Sequence, residues 1–421
     1  MKNHKTKTKI LAPAGSYESL MAAINAGANA VYFGVGKLNM RSRSSNNFDS
    51  SDLIEIAKIC KKNNLETYLT VNTIIYDSEI AEMQNLLNLA RESGISAIIA
   101  SDISVLKYAK SIGIPVHAST QLNITNIEAV KFFSEYCDVI VTARELDLEQ
   151  VNAIIDRIKK ENITGPSGFL VKIEVFIHGA LCMAVSGKCY LSLHEFNKSA
   201  NRGECFQTCR RAYTVTDKES GYQLDIDNEF IMSPKDLKTI GFLNKILDAG
   251  VSVLKIEGRA RSAEYVKTVV ECYKQAVEAW QTDSFTQDKV DEWDKKLASV
   301  FNRGFWDGYY LGQKLGVWSS KYGSEATRRK VYLGKCRNYF GNIGVAEFRI
   351  ETLSNLSLGD EILITGTTTG ALQFTPKEFR IDDKPTIKLL QNDVFSFKTP
   401  EIIRRGDKLF KIVDAEKIRQ Q

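Results

Sequence analysis

Short β-branched runs alternate with helix-period segments from residue 8 to about 258, and this alternation confines the chain to architectures built on a parallel sheet. The runs fall at 8–14, 30–35, 66–72, 96–101, 116–119, 139–143, 172–178 and 252–257. Parallel neighbours need a crossover between them, and amphipathic stretches at 16–26, 51–62, 79–92 and 148–160 can supply it. Ser16 follows the Pro13-Ala14-Gly15 turn, where a helix N-cap is expected. Eight strand–helix units in roughly 260 residues predict an α/β fold, a TIM-type (βα)8 barrel. A doubly wound open sheet is the alternative, because periodicity does not report closure.

The seventh unit breaks the rhythm. Between His178 and the eighth strand lies a cysteine-rich insertion, at about 179–250, with little periodicity. Helical patterns return at 263–280 and 287–299, followed by the loop Phe301-Asn302-Arg303-Gly304-Phe305. Residues 319–330 are polar and end in Arg328-Arg329-Lys330, which reads as a linker closing a first domain at 1–318. From 331 to 421 short strands are punctuated by Leu358-Gly359-Asp360, Gly366, Gly370 and Arg405-Gly406-Asp407, the pattern of a small all-β barrel.

A net charge of +5 permits a nucleic-acid partner without demanding one. Met1 to Lys9 holds four lysines and no apolar run, unlike a secretory leader, and no segment approaches the ~18 apolar residues of a membrane span. The expectation is a cytoplasmic protein. There the thiol pool keeps cysteines reduced, so closely spaced ones read as ligands or catalytic groups. Cys182, Cys189, Cys205 and Cys209 are spaced C-x6-C-x15-C-x3-C within the insertion. Such thiolate sets select zinc or iron–sulfur. Structural zinc usually takes tighter pairs, whereas these wide spacings leave room for a cuboidal cluster of the 4Fe-4S type. Cys60, Cys137, Cys272 and Cys336 read instead as small buried hydrophobes.

In a (βα)-barrel the chemistry sits at the C-terminal ends of the strands, and here those ends are polar. Arg41 and Arg43 follow the second strand, Asn72 ends the third, and His117 and Gln121 flank the end of the fifth. Arg144 closes the sixth, Glu174 and His178 belong to the seventh, and Glu257 and Arg259 end the eighth. Any one of these reads equally well as a loop residue capping the next helix. Together they predict a pocket, with His178, Glu174 and Glu257 as candidate catalytic groups. Arginines converging on one mouth favour an anionic ligand, because the guanidinium fork pairs with carboxylate or phosphate at two points. There is no H-E-x-x-H, G-x-S-x-G, P-loop or dinucleotide-binding glycine fingerprint.

Glu174-Val-Phe-Ile-His178-Gly-Ala-Leu-Cys182, with Asn201-Arg202-Gly203-x-Cys205-x-x-x-Cys209-Arg210-Arg211, resembles the signature of the collagenase-like peptidase family, peptidase family U thirty-two. Leu11-Ala12-Pro13-Ala14-Gly15, His117-Ala-Ser119-Thr120-Gln121, Ser233-Pro234-Lys235-Asp236-Leu237 and Lys255-Ile256-Glu257-Gly258-Arg259 extend the resemblance over nearly the whole chain. The resemblance implies two activities: collagenase-like proteolysis, and iron–sulfur-dependent hydroxylation of RNA or of ubiquinone precursors. By length and by its C-terminal β region the chain is most similar to the prephenate-dependent tRNA uridine hydroxylation branch, whose product is wobble 5-hydroxyuridine. On that reading the four cysteines hold a 4Fe-4S cluster and the arginines hold prephenate as co-substrate. The C-terminal barrel and basic linker would meet tRNA phosphates. The partners implied are tRNA, a small anionic co-substrate and the iron–sulfur assembly machinery, with no membrane. A peptidase using His178 and Cys182, and a non-catalytic iron–sulfur assembly or electron-transfer factor, are the other two readings. One departure stands out: many members carry a cysteine just after Ser-Pro-Lys-Asp-Leu, where this chain has Lys238, leaving Cys209 as the natural fourth ligand.

Overall fold

The first strand of the chain, Lys9–Pro13, pairs in parallel with the second, Ala30–Phe33, on one side and with the eighth, Val253–Ile256, on the other. The remaining strands are Glu66–Val71, Ala97–Ala100, Val116–Ala118, Val139–Val141 and Lys172–Gly179, and the last of these also pairs with the eighth. The eight-stranded parallel sheet is therefore closed, which excludes the open-sheet alternative. The structure is a computed structural model that describes residues 8–43, 48–221, 223–224, 230, 232–312 and 316–416.

Alternation along each strand sorts the side chains into two layers. Ile10, Ala12, Val31 and Phe33 face the surrounding helices and join the large outer core. Leu11, Tyr32, Tyr68, Ile99, Val139 and Val253 form a second, smaller core inside the barrel. Ser16 caps the helix Tyr17–Asn25 by accepting from the Ser19 backbone N–H, as the turn chemistry predicts. Gly15 is required there, since a Cβ at that position would lie 1.8 Å from the Arg259 carbonyl oxygen. The first turn is thus seated directly on the end of the eighth strand.

The insertion after the seventh strand covers the C-terminal mouth with short helical turns, including Leu191–Phe196. It returns through Asp236–Lys238, which pairs antiparallel with the end of the seventh strand, and Phe305–Trp306 pairs alongside it. Among the described residues no helix is long and apolar enough to cross a membrane.

Beyond the barrel the chain is antiparallel β throughout. The long strand Arg328–Phe340 carries two register shifts and joins strands on both of its edges into one eight-stranded sheet. That strand begins inside the expected linker: Arg328, Arg329 and Lys330 pair with Asp414, Val413 and Ile412. The basic side chains concealed the strand because they lie on a partly exposed ladder whose backbone partners come from the end of the chain. Phe348, Phe379, Phe395 and Phe397 centre a separate core. The hairpin formed by Ile362–Gly366 and Gly370–Phe374 rests on the barrel helices Tyr17–Asn25 and Ala263–Gln281. Asn25 donates to the Thr369 carbonyl at 3.3 Å, Lys267 donates to that of Ala371 at 3.1 Å, and Lys330 meets Glu264 at 2.6 Å. The approach is close enough that a Cβ on Gly370 would lie 2.7 Å from the Ala22 nitrogen.

Candidate functional site

A cavity of about 210 Å³ lies between the C-terminal ends of the strands and the insertion above them. Strand alternation builds its floor. Glu174 and Lys255 point into the barrel from neighbouring strands, with Lys255 Nζ 2.7 Å from Glu174 Oε1 and His117 Nδ1 2.7 Å from Glu174 Oε2. All three side chains are buried. Burial alone would raise the Glu174 carboxyl, but Lys255 and His117 outweigh it and hold it at about 2. Lys255 faces the cavity, while Glu174 and His117 lie beneath it.

The wall is a lattice of arginines. Arg41 meets Glu257 at 2.8 Å. Arg259 donates to Thr70 Oγ1 at 2.9 Å and to Asn39 Oδ1 at 2.8 Å, and among the described residues no carboxylate is in direct contact with its charge. Burial of Glu257 pushes its carboxyl up, yet Arg41 and Arg144 bring it down to about 2. Burial lowers the Arg259 guanidinium to about 10, where it remains cationic at neutral pH. Arg144 lies 3.9 Å over the Phe176 ring and donates to the Ala180 carbonyl at 2.9 Å. Its Nε is buried without a partner. Asn72 bridges Ser119 and Gln121 and accepts from the Met40 backbone N–H.

The roof carries the thiols. Cys182, Cys189, Cys205 and Cys209 all line the same cavity. Burial raises the Cys189 thiol and lifts that of Cys209 to about 11. Among the described residues no three His, Cys, Asp or Glu side chains are grouped closely enough to hold a single metal ion. Arg210, next to Cys209, spans the roof by donating to Leu181 O, Pro234 O and Ser233 Oγ. The other four cysteines are buried elsewhere, as expected.

Besides Glu174 and His117, which lie beneath the floor, two more expected site residues are not in the cavity. His178 is buried against Tyr265, Tyr273 and Phe305, with Nδ1 3.4 Å from the Tyr273 hydroxyl and Nε2 unpartnered. The cause is a β-bulge: Lys255 pairs with Phe176, but Ile256 pairs with His178, so Ile177 and His178 both face outward. Burial then lowers the imidazole to about 3 and keeps it neutral. Arg43 is exposed on the rim, 3.6 Å over the Phe206 ring. Lys238 pairs with Asp294 at 2.8 Å and does not line the cavity, so it takes no place in the thiol set.

Sequence reasoning missed Lys255, Arg210, Arg261 and Arg303, all of which line the cavity. Lys255 had a signal, a charged residue in the middle of the apolar strand Val253–Ile256. Arg303 is drawn in by Asp236 at 3.3 Å, and Arg261 packs 3.6 Å over Phe301; neither relationship leaves a trace in local pattern. Among the described residues seven cations in all, counting Arg41, Arg144 and Arg259, line the cavity against the single carboxylate of Glu257, and no histidine does.

The model of peptidase family U32 matches residues 15–319. A protein named collagenase from Porphyromonas gingivalis is 57% identical, over 96% of this chain and 97% of its own length. An uncharacterized protease from Methanocaldococcus jannaschii is 33% identical, over 96% and 97%. A protein named "tRNA hydroxylation protein P1" from Bacillus subtilis is 33% identical, over 79% and 78%.

Proposed function

Because the chain belongs to peptidase family U32, whose members include proteins named for tRNA hydroxylation, we propose that it hydroxylates a tRNA uridine to the 5-hydroxyuridine type, using an iron–sulfur cluster and a small dicarboxylate such as prephenate. One observation carries this reading: among the described residues four thiols and seven cations, and no histidine, open on a single cavity. Cys182, Cys189, Cys205 and Cys209 would hold the cluster. The wide spacing of the four along the chain suits a cuboidal cluster better than the tighter pairs of structural zinc. When bound, the cluster would supply electron transfer or activation of the oxygen donor. The surrounding cations would offset the negative charge of a thiolate-bound cluster, and its assembly would require the iron–sulfur machinery of the cytoplasm.

The protein groups would bind and orient the co-substrate. Among the described residues Arg259 and Arg144 have no carboxylate in direct contact, so they are the natural holders of an anion, with the Arg144 Nε supplying a further donor. The Lys255 ammonium, anchored from below by Glu174, would donate to an oxygen of the bound ligand at the floor. Glu257 would keep Arg41 in place as one edge of the pocket.

The peptidase reading draws on the name of the 57%-identical relative. It asks for a nucleophile with a base beside it. Cys182 would be the nucleophile, yet His178 is walled off behind the bulge and no other histidine among the described residues lines the cavity. The two readings part in cells lacking the gene, complemented with the intact gene or with Cys182→Ala. Mass spectrometry of total tRNA should find 5-hydroxyuridine-type modifications absent from the knockout, restored by the intact gene and still absent with the variant. Unchanged tRNA, together with gelatin cleavage by the pure protein, would favour the peptidase.

A further inference from the structure

The insertion carries more than the thiols. Tyr190 is 78% exposed and makes no ring contact among the described residues. It stands between Cys189 and Leu191, which both line the cavity, so its ring marks the rim. Lys188, two residues before, is exposed. On the same insertion Phe196 and Phe206 stack at 4.2 Å, and the exposed guanidinium of Arg43 covers the Phe206 ring at 3.6 Å. A guanidinium plane backed by an aromatic ring presents its other face for stacking. By contrast, two of the three cations of the segment expected to grip RNA are engaged within the protein, Arg328 with Glu361 and Lys330 with Glu264, while Arg329 is exposed.

We propose that this outer face of the insertion is the surface that grips RNA, with Tyr190 and Arg43 stacking unpaired bases that flank the one entering the cavity. The proposal rests on the RNA reading above and adds to it where the strand is held. The partner is a single-stranded loop and not a duplex. A base inside a duplex cannot reach a cavity beneath the insertion, and exposed rings with planar cations recognise splayed bases with little regard to sequence.

The test is binding of the full-length protein to an unmodified tRNA transcript, followed by fluorescence anisotropy at fixed salt. Tyr190→Ala and Arg43→Ala should each weaken binding by about tenfold, with Tyr190→Phe close to the intact protein, since stacking needs the ring and not the hydroxyl. Arg328→Ala and Lys330→Ala should leave binding within about twofold. A blunt-ended RNA duplex should bind weakly and respond little to Tyr190→Ala. The exposed position of Tyr190 means its variants should melt with the intact protein, which separates lost binding from lost fold. If the intact protein binds tRNA and Tyr190→Ala binds it equally well, this inference is overturned while the RNA reading stands. If the intact protein binds no tRNA at all, the RNA reading itself falls.

Discussion

The Lys255 ammonium and the Glu174 carboxylate meet at 2.7 Å inside the barrel, where aliphatic side chains usually fill the space. Removing one partner of such a pair leaves the other charged and desolvated. Glu174→Gln should therefore destabilise the fold by about 3–5 kcal/mol in denaturant unfolding. The double variant Glu174→Leu with Lys255→Met should recover a large part of that loss. A loss in the double variant equal to the sum of the losses from changing each residue alone would mean that the pair is not coupled.

Acid should weaken the protein in two windows. Glu174 and Glu257 are both held at about 2 in the folded state, below their ordinary value of ~4.3. Their contribution is present above the unfolded value and is lost as pH falls through about 2. His178 is lowered to about 3, so the unfolded chain takes up its proton first, and stability is lost from near pH ~6.5 downward. Unfolding free energy should thus begin to fall below pH ~6.5 in the intact protein, and this upper limb should flatten in His178→Gln. In NMR spectra the His178 ring should stay neutral from pH 8 to 5.

Anaerobic preparation should yield a brown protein with a broad thiolate-to-iron absorption band. Replacing Cys182, Cys189, Cys205 or Cys209 by Ala should bleach it, whereas Cys60→Ala and Cys272→Ala should not. Lys238→Ala should also keep the colour, since its partner is Asp294. Stoichiometric zinc without iron or sulfide would end the cluster assignment.

The arginine wall should bind a small dicarboxylate. Charge-assisted contacts are worth ~1.5–3 kcal/mol, so Arg144→Ala and Arg259→Ala should each weaken prephenate binding by at least ~10-fold in calorimetry. The cluster spectrum should not change. Absence of any heat with prephenate or related dicarboxylates would reject the pocket as a dicarboxylate site.

Ending the chain before Arg328 should lower the melting temperature of the barrel, because the hairpin resting on Tyr17–Asn25 and Ala263–Gln281 would be lost. A barrel that melts unchanged after this truncation would mean the contact is incidental.

The barrel and its mouth were legible because strand periodicity and strand-end polarity are local properties. Arg41, Asn72, Arg144 and Arg259 fall where their strands end, and the four thiols announce themselves by spacing. His178 was misread because strict alternation would put it beside Phe176 on the inside, and the bulge that reverses it depends on pairing with a strand some 80 residues away. Arg303 and Lys238 were illegible for the same kind of reason. Each is placed by a single carboxylate, Asp236 or Asp294, that is remote in sequence.

The pairing of Lys9 with Val253 has a consequence for the order in which the molecule can form. During synthesis the first strand leaves the ribosome early and keeps one edge unsatisfied until its partner emerges 244 residues later. Through that interval the nascent barrel is an open sheet with two bare edges, and a contact of such long range is slow to close. The helices Tyr17–Asn25 and Ala263–Gln281 come together only at closure, and together they make the platform on which the hairpin at Ile362–Gly366 and Gly370–Phe374 lands. Docking of the last region is thus a checkpoint that only a closed barrel can pass. A chain released before that step exposes both the unpaired edges and the vacant platform, the surfaces by which a chaperone would recognise unfinished work.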